Sequence, residues 1–323
     1  HVKFGMKKDG LATAVEMTQI ADAGATASTQ EFMLAVGTNS LPILCKTNNK
    51  KFDAKVVVTN HVPSGSFRGY GYLESSNLLT AAIFEACRRM DVDPMVYLEK
   101  NALALGEEFH NACSPMHPWQ HNNSSDWQNL VRETAKACHW SERWKGWGVP
   151  TWVSPDGKKR RGIGVSAAGH ADTGGKTSNA TVTITGLGAV YISTCMAEFG
   201  SGIRDIMQKI VAEELDMPIE SVKMAPADTG ATPADFGSTG SRSTYCGGIV
   251  AKQAAQECKR KIFEICHQRY GIPVEDRGMK DCVVYQLSNP EKKFRLFPQL
   301  MGKVDSITGT GHHNGVEDST ITH

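Results

Sequence analysis

The sequence carries nine cysteines, yet no two of them form a Cys-x-x-Cys pair. Without clustered thiolates, no iron–sulfur cluster is expected within this chain. The count is odd and several of the thiols fall on apolar faces of expected helices. They read as reduced, buried core residues of a cytoplasmic protein. An excess of charge is missing too. With 35 basic against 34 acidic residues the net charge is +1, so no basic field draws in nucleic acid. No apolar run approaches the ~18 residues of a membrane span. Metal-ligand spacing is scarce. His117 and His121 are four apart, but Pro118 and the run Asn122–Ser125 deny them a helix, and a surface loop is expected. What remains is ordinary for a globular protein, at 40% hydrophobic and 21% charged residues. The length of 323 residues suffices for two domains.

The most informative stretch is Asp228–Gly248, which packs small residues, hydroxyls and one arginine into a segment with little apolar mass. A long amphipathic helix follows, with Ala251, Ala254, Ala255, Cys258, Ile262, Ile265 and Cys266 at helical spacing. A Gly-rich loop that empties into a helix gathers free N–H groups and the positive end of the helix dipole, the makings of an anion site. Ser241, Ser243 and Thr244 add hydroxyls, and Arg242 a fork suited to a phosphate or a planar heterocycle. The plainer alternative is a solvated Gly/Ser loop that only caps its helix. A second element of the same kind weighs against it. Glu198-Phe-Gly-Ser-Gly202 leads into a helix with Ile203, Ile206, Met207, Ile210, Val211 and Leu215 on one face. With a strand expected at Ser221–Pro226 between them, the two loops could hold two ends of an extended phosphate-bearing cofactor.

Elsewhere the chain opens inside an expected strand, turns at Asp9-Gly10, and returns along Leu11–Gln19. Its last residues carry no stop signal, and the expectation is a piece of a split or longer polypeptide whose core another chain completes. Phe52–Asn60, with Val56, Val57 and Val58, reads as a buried strand running into Pro63–Tyr72. There, glycines 65, 69 and 71 alternate with Phe67, Tyr70 and Tyr72, suggesting backbone held close to a ligand. An irregular aromatic turn anchored to the core is the equal alternative. Helices are expected from Ser75 to about Met90, and from Asp93-Pro94 to near Gly106. Gly169–Thr177 imitates a phosphate-binding loop but has five residues between its glycines and precedes a strand. A loop near the cofactor suits it better, with His170 a candidate pocket residue. Tryptophans 119, 127, 140, 144 and 147 cluster around a short helix, Trp127–Cys138, as core or subunit contact. The turn-rich basic run after Gly146 marks a linker, and the domain division is placed there.

Gly65-Ser-Phe-Arg-Gly-Tyr-Gly71, Asp93-Pro94, Asn101, Glu198-Phe-Gly-Ser-Gly202, Asp228-Thr229, Pro233 and Gly240-Ser-Arg-Ser-Thr244 resemble, in order and spacing, the molybdenum-binding subunit of the xanthine oxidase family. The resemblance implies a mixed α/β fold of two partial molybdopterin-binding domains: residues 1–150 as the C-terminal part of the first, 151–323 as the N-terminal part of the second. It places Phe67 and Arg68 at the metal's edge and Tyr70 in the substrate-pocket wall, suited to a flat aromatic or cyclic substrate. Gly200, Ser201, Gly202, Gly240, Ser241, Ser243 and Thr244 fall on the cofactor, and Arg242 on its dinucleotide extension. It further implies molybdopterin with molybdenum, in the cytosine dinucleotide form, held by the pterin dithiolene with no direct protein ligand. The implied reaction hydroxylates an electron-poor carbon with water as oxygen source. Electrons then leave through 2Fe-2S clusters and FAD on partner subunits.

Three departures accompany the match. Ser201 stands where the family usually has glutamine, and a second Gly-rich cofactor loop and the catalytic glutamate have no counterpart in these residues. A relative that hydrates or dehydrogenates cyclic enones, and a non-catalytic scaffold subunit, therefore stay open as alternatives.

Overall fold

The computed structural model describes residues 1–27, 29–38, 40–110, 119–122, 125–169, 177–302, 304 and 306–314. His117, His170, Cys113 and most of the Gly169–Thr177 loop lie outside the described residues. The chain divides into two compact units, His1–Ala171 and Asp172–Thr320. The expected division at 150 falls earlier in the chain. Residues just beyond it stay with the first unit because Val165 and Ala167 pack on its core, and the Ala167 carbonyl accepts from the Thr80 hydroxyl at 3.3 Å.

In the first unit β1 (Val2–Met6), β2 (Ala12–Gly24) and β3 (Lys50–Val58) form a sheet in that order, β1 antiparallel and β3 parallel to β2. The short helices α1 (Gln30–Gly37) and α2 (Ser40–Leu44) connect β2 to β3, and α3 (Tyr72–Arg89) and α4 (Pro94–Asn101) follow. Val15, Met17, Leu41, Leu79, Ile83, Cys87, Tyr97 and Leu98 make the core. Apolar side chains recurring along α3 and alternating along β2 are buried against one another, and removing that surface from water is the main driving force. Two polar residues of the sequence motifs turn out to be fasteners. Asp93 caps α4 by accepting from the Met95 N–H at 2.8 Å, and its carboxylate also takes the indole N–H of Trp140. Asn101, fully buried, bonds the Gly10 carbonyl at 2.8 Å and the Ala12 N–H at 2.9 Å, closing the β1–β2 turn onto α4.

Beyond α4 come the hairpin β4 (Glu108–His110) and β5 (Trp119–His121), α5 (Trp127–Ala137), α6 (Trp140–Arg143), and the ribbon β6 (Trp152–Val153) with β7 (Arg160–Arg161). His121 therefore sits on a short strand, not in a loop. Trp140 stacks on Trp144 with centroids 5.1 Å apart, Trp147 meets Trp144 edge-on at 5.2 Å, and Trp119 packs edge-on to His110. The expected buried strand at 52–60 is corrected: β3 is an edge strand, and Val57 and Val58 are 42% and 60% exposed. Its apolar run is consistent with a strand on either kind of position, and periodicity alone does not distinguish them. The helix expected to run to Gly106 stops at Asn101, because Ala102 turns to extended backbone.

The second unit is built on β8 (Ser178–Thr185), β9 (Val190–Ser193), β10 (Val222–Met224) and β14 (Ser306–His313), in the order β10-β9-β8-β14. Helices α7 (Ile203–Glu214) and α8 (Arg242–Tyr270) lie against this sheet, and a meander of β11 (Arg277–Lys280), β12 (Val283–Gln286) and β13 (Lys293–Arg295) follows α8. Strict alternation along β8 sends Ala180, Val182 and Ile184 inward to meet Ala251, Ala254, Ala255, Cys258 and Ile262 of α8. The small side chains of α8 bring helix and sheet unusually close. A Cβ at Gly309 or Gly311 of β14 would lie 2.0 or 1.9 Å from the carbonyl oxygens of Ala254 and Val250. Cys45, Cys87, Cys246, Cys258 and Cys266 are buried as expected, but Cys138, Cys195 and Cys282 are only half-buried. Among the described residues no helix is long and apolar enough to cross a membrane.

The close approach of β14 to α8 makes a definite prediction. Gly311→Ala should destabilise the second unit by about 2–3 kcal/mol through forced separation of helix and strand. Chemical denaturation of the full polypeptide, followed by a probe in this unit, measures it. An unchanged midpoint would contradict the packing described.

Candidate cofactor-binding site

Three loops of the chain run straight into helices, and the structure treats each helix N-terminus differently. In the first unit the turn Phe67–Gly71 opens α3. The Tyr70 N–H donates to the Phe67 carbonyl at 2.9 Å, and Gly69, Tyr70 and Gly71 all have positive φ, of 101°, 46° and 91°. A tyrosine in this left-handed region is uncommon and is held there only when its surroundings over-determine it. Phe67, 70% exposed, and Arg68 project to solvent, while Tyr70 is half-buried. Helix α3 starts at Tyr72, earlier than expected, since its first turn has no apolar period to read.

The second loop, before α7, carries its own anion. The Glu198 carboxylate accepts from the backbone N–H groups of Gly200 at 2.7 Å, Gly202 at 3.0 Å and Arg204 at 3.3 Å. The Gly202 N–H, then those of Arg204, Gly200 and Ser201, hold this carboxyl below the usual glutamate range. Gly200 and Gly202 thus aim their N–H groups at Glu198, and the exposed Ser201 hydroxyl remains the loop's outward donor.

The third loop is the richest. Asp228 starts it by accepting from the Gly230 N–H at 2.8 Å, and its carbonyl accepts from the Thr232 hydroxyl at 2.7 Å. Cys195 meets Thr232 Oγ1 and the Pro233 carbonyl, each at 3.0 Å, and Ser238 donates to the Ala197 carbonyl at 3.0 Å. The loop is thereby sewn to the segment after β9. Gly240 and Ser241 have φ of 54° and 62°, and Ser241 is the N-cap of α8. Helix α8 begins at Arg242 and not near Tyr245, so Ser243 and Thr244 are first-turn residues whose N–H groups point out of the helix end. Ser241 makes no side-chain capping bond, and no acidic residue occupies the first turn. Ser241 and Thr244 are exposed and Ser243 half-buried. Glu198 satisfies the end of α7 with the chain's own charge; the end of α8 presents hydroxyls and helix-dipole potential to an outside anion. The donor set fits a phosphate-bearing group.

Arg242, expected on the dinucleotide extension, is turned the other way. It is 1% exposed, and its guanidinium is 2.7 Å from the buried Asp235 carboxylate. Sequence reading passed over Asp235, Asn179 and His313. Asn179 on β8 bonds the Ala234 carbonyl at 2.5 Å and the His312 ring at 2.7 Å. His313, buried, lies edge-on to Tyr245 of the first α8 turn, with centroids 6.1 Å apart. These positions are distant in sequence, and only the pairing of β14 with β8 brings them to the start of α8.

Comparison with known proteins decides the family. Residues 123–320 match one molybdopterin cofactor-binding domain model, and residues 1–102 match another. The chain belongs to the molybdopterin cofactor-binding family. Within it, the chain groups with the molybdenum-binding subunits of the xanthine oxidase family. It is 26% identical over 285 residues to the probable hypoxanthine oxidase XdhD of Escherichia coli strain K12, covering 85% of this chain and 29% of that protein. It is 28% identical over 232 residues to the gamma subunit of the 6-hydroxypseudooxynicotine dehydrogenase complex of Paenarthrobacter nicotinovorans, covering 68% of this chain and 27% of that one. The crystal structure of quinoline 2-oxidoreductase from Pseudomonas putida 86 superimposes with a TM-score of 0.68 at 18% identity, over 97% of this chain and 42% of that one. The mixed α/β fold is that of these molybdopterin-binding domains, and the chain spans less than a third of the two curated relatives.

The self-capped end of α7 is open to test. Glu198→Ala should speed hydrogen exchange at the Gly200, Gly202 and Arg204 amides, and Glu198→Gln should restore part of the protection. Because the folded-state pKa is depressed, the cap is fully present above the ordinary glutamate value and is lost as pH falls through the lower folded value. Exchange at these amides that ignores both substitution and acid would refute the cap.

Proposed function

We propose that this chain forms the cofactor-binding part of a molybdenum hydroxylase, with the phosphate of a molybdopterin held at the N-terminus of α8. The observation that carries the reading is the end of α8, free of acidic residues and rich in hydroxyls, lying within a molybdopterin-binding domain match. The hydroxyls of Ser241, Ser243 and Thr244 and the first-turn N–H groups bind the anion, and Gly240 stands beside the metal. Ser201 contributes its hydroxyl, and the backbone of Gly200 and Gly202 shapes the same loop. Phe67 and Arg68 stand at the metal's edge, and Tyr70 forms a wall against which a flat cyclic substrate packs.

When bound, the molybdenum centre supplies two-electron oxidation of an electron-poor carbon, with water as the oxygen source. The chain's own residues orient the substrate and hold the cofactor. The reading extends to the cytosine dinucleotide form of the cofactor and to a cytoplasmic location, the latter supported by the free thiols. It also includes partner chains: a further molybdopterin-binding segment, an iron–sulfur subunit with 2Fe-2S clusters and a flavin subunit with FAD. The gamma-subunit relative belongs to a named complex, which favours such an assembly.

Ser241→Gly with Thr244→Val tests the anion site, since glycine keeps the left-handed backbone while removing the hydroxymethyl group, and valine replaces the threonine hydroxyl with a methyl. Each lost hydrogen bond to a charged phosphate removes about 1.5–3 kcal/mol, so pterin content of the purified complex should fall. Full pterin content in this double variant would sink the assignment.

Tyr70→Ala addresses the wall. KM should rise or substrate preference shift with molybdenum content unchanged, because a wall residue contributes packing. Loss of metal with normal KM in the remaining active enzyme would make Tyr70 structural.

A further inference from the structure

Arg242 opens α8 but spends its side chain inside the unit. Its Nη1 donates to Asp235 Oδ1 and to the Gly237 carbonyl, both at 2.7 Å. Its Nη2 donates to the Thr177 carbonyl at 2.9 Å and to the Ser178 hydroxyl. The Asp235 carboxylate also accepts from the Gly237 N–H at 2.7 Å and the Asn179 N–H at 3.2 Å. Phe236 places its ring 5.8 Å from the guanidinium carbon. All these partners lie in the loop before α8 or at the start of β8.

A buried ion pair is a poor way to gain stability, because the desolvation of both charges offsets their attraction, and apolar replacements often do as well. Geometry is what the pair supplies. A guanidinium offers donors in fixed directions, so four acceptors on two chain segments are held in one arrangement. That arrangement is the one the loop needs. Gly237, Gly240 and Ser241 have φ of 90°, 54° and 62°, and the non-glycine at 241 stays in the left-handed region only if its neighbours enforce it.

We propose that Asp235 and Arg242 are a positioning pair for the α8 anion loop. They preset the Ser241–Thr244 hydroxyls and N–H groups for a phosphate before any cofactor arrives. Arg242 acts through the loop and does not touch the ligand; the proposal rests on the assignment of the cofactor phosphate to this helix end. Ligand binding then avoids the entropy of ordering the loop, the usual benefit of a preorganised site.

The test uses the full molybdenum-binding polypeptide with its partner chains, purified from cells that make the cofactor. Three variants are compared: Arg242→Lys, Asp235→Asn, and the double variant Asp235→Leu with Arg242→Met. Pterin per polypeptide is read by fluorescence after oxidation, together with the rate of pterin release and the melting temperature. The double variant removes both charges together, but it takes these partners from the Gly237 and Thr177 carbonyls and from the Gly237 and Asn179 N–H groups, so its melting temperature should fall and its pterin is read on the folded fraction. Its pterin occupancy there should fall roughly tenfold, as expected for losing one charge-assisted contact's worth of binding. Arg242→Lys keeps the charge without the fork and should lose pterin faster in its folded fraction, which decides the matter if the double variant does not fold. Wild-type occupancy and release in any of the three folded variants would overturn the positioning role. Wild-type protein that holds no pterin would overturn the cofactor assignment beneath it.

Discussion

The second unit depends on the packing of one long helix against its sheet. Helix α8 presents alanine, cysteine and valine to β8 and β14, and the contact is tight enough that β14 carries glycine at 309 and 311. Such packing leaves the helix no freedom to slide, since interiors at crystal-like density transmit small displacements. Its first turn is therefore fixed relative to β8, the strand from which Ser178 meets Arg242 and Asn179 reaches the loop before it. The first turn of α8 thus inherits its position from an apolar contact along the body of the helix.

The two helix ends of this unit meet the same electrostatic demand in opposite ways. Both α7 and α8 begin with N–H groups that have no acceptor within their own helix and carry positive potential there. At α7 the demand is met internally by Glu198, which needs only a short loop with left-handed glycines to curl back. At α8 the Asp235 carboxylate is occupied by Arg242 below the helix start. The chain places its negative charge where it neutralises its own arginine and leaves the helix end to hydroxyls. This difference is the reason the proposal puts the phosphate at α8 and not at α7.

In the first unit, polar motif residues serve the scaffold. Asp93 and Asn101 are saturated by backbone and indole partners, so they define the α4 junction and are not free for chemistry. The Phe67–Gly71 turn is different. Its run of positive φ values concentrates backbone strain in one short segment, and Phe67 and Arg68 are exposed beside it.

The sequence by itself determined the type of the longer elements and the location of the Gly-rich loops. Alternation along β8 and helical spacing along α7 and α8 follow from burial on one face, and burial leaves a period that can be read directly. The Gly-rich loops at 67–71, 198–202 and 240–244 were legible for the same local reason: only certain residues tolerate those backbone angles. The exposure of β3, the start of α8 at Arg242 and the destination of the Arg242 side chain were decided by the tertiary structure. A valine run does not state whether its strand is central or at an edge, and a helix's first turn is set by its cap and not by a period. An arginine in a Gly/Ser loop looks outward until Asp235 and the start of β8, remote in sequence, fold beneath it and offer the acceptors that draw it in.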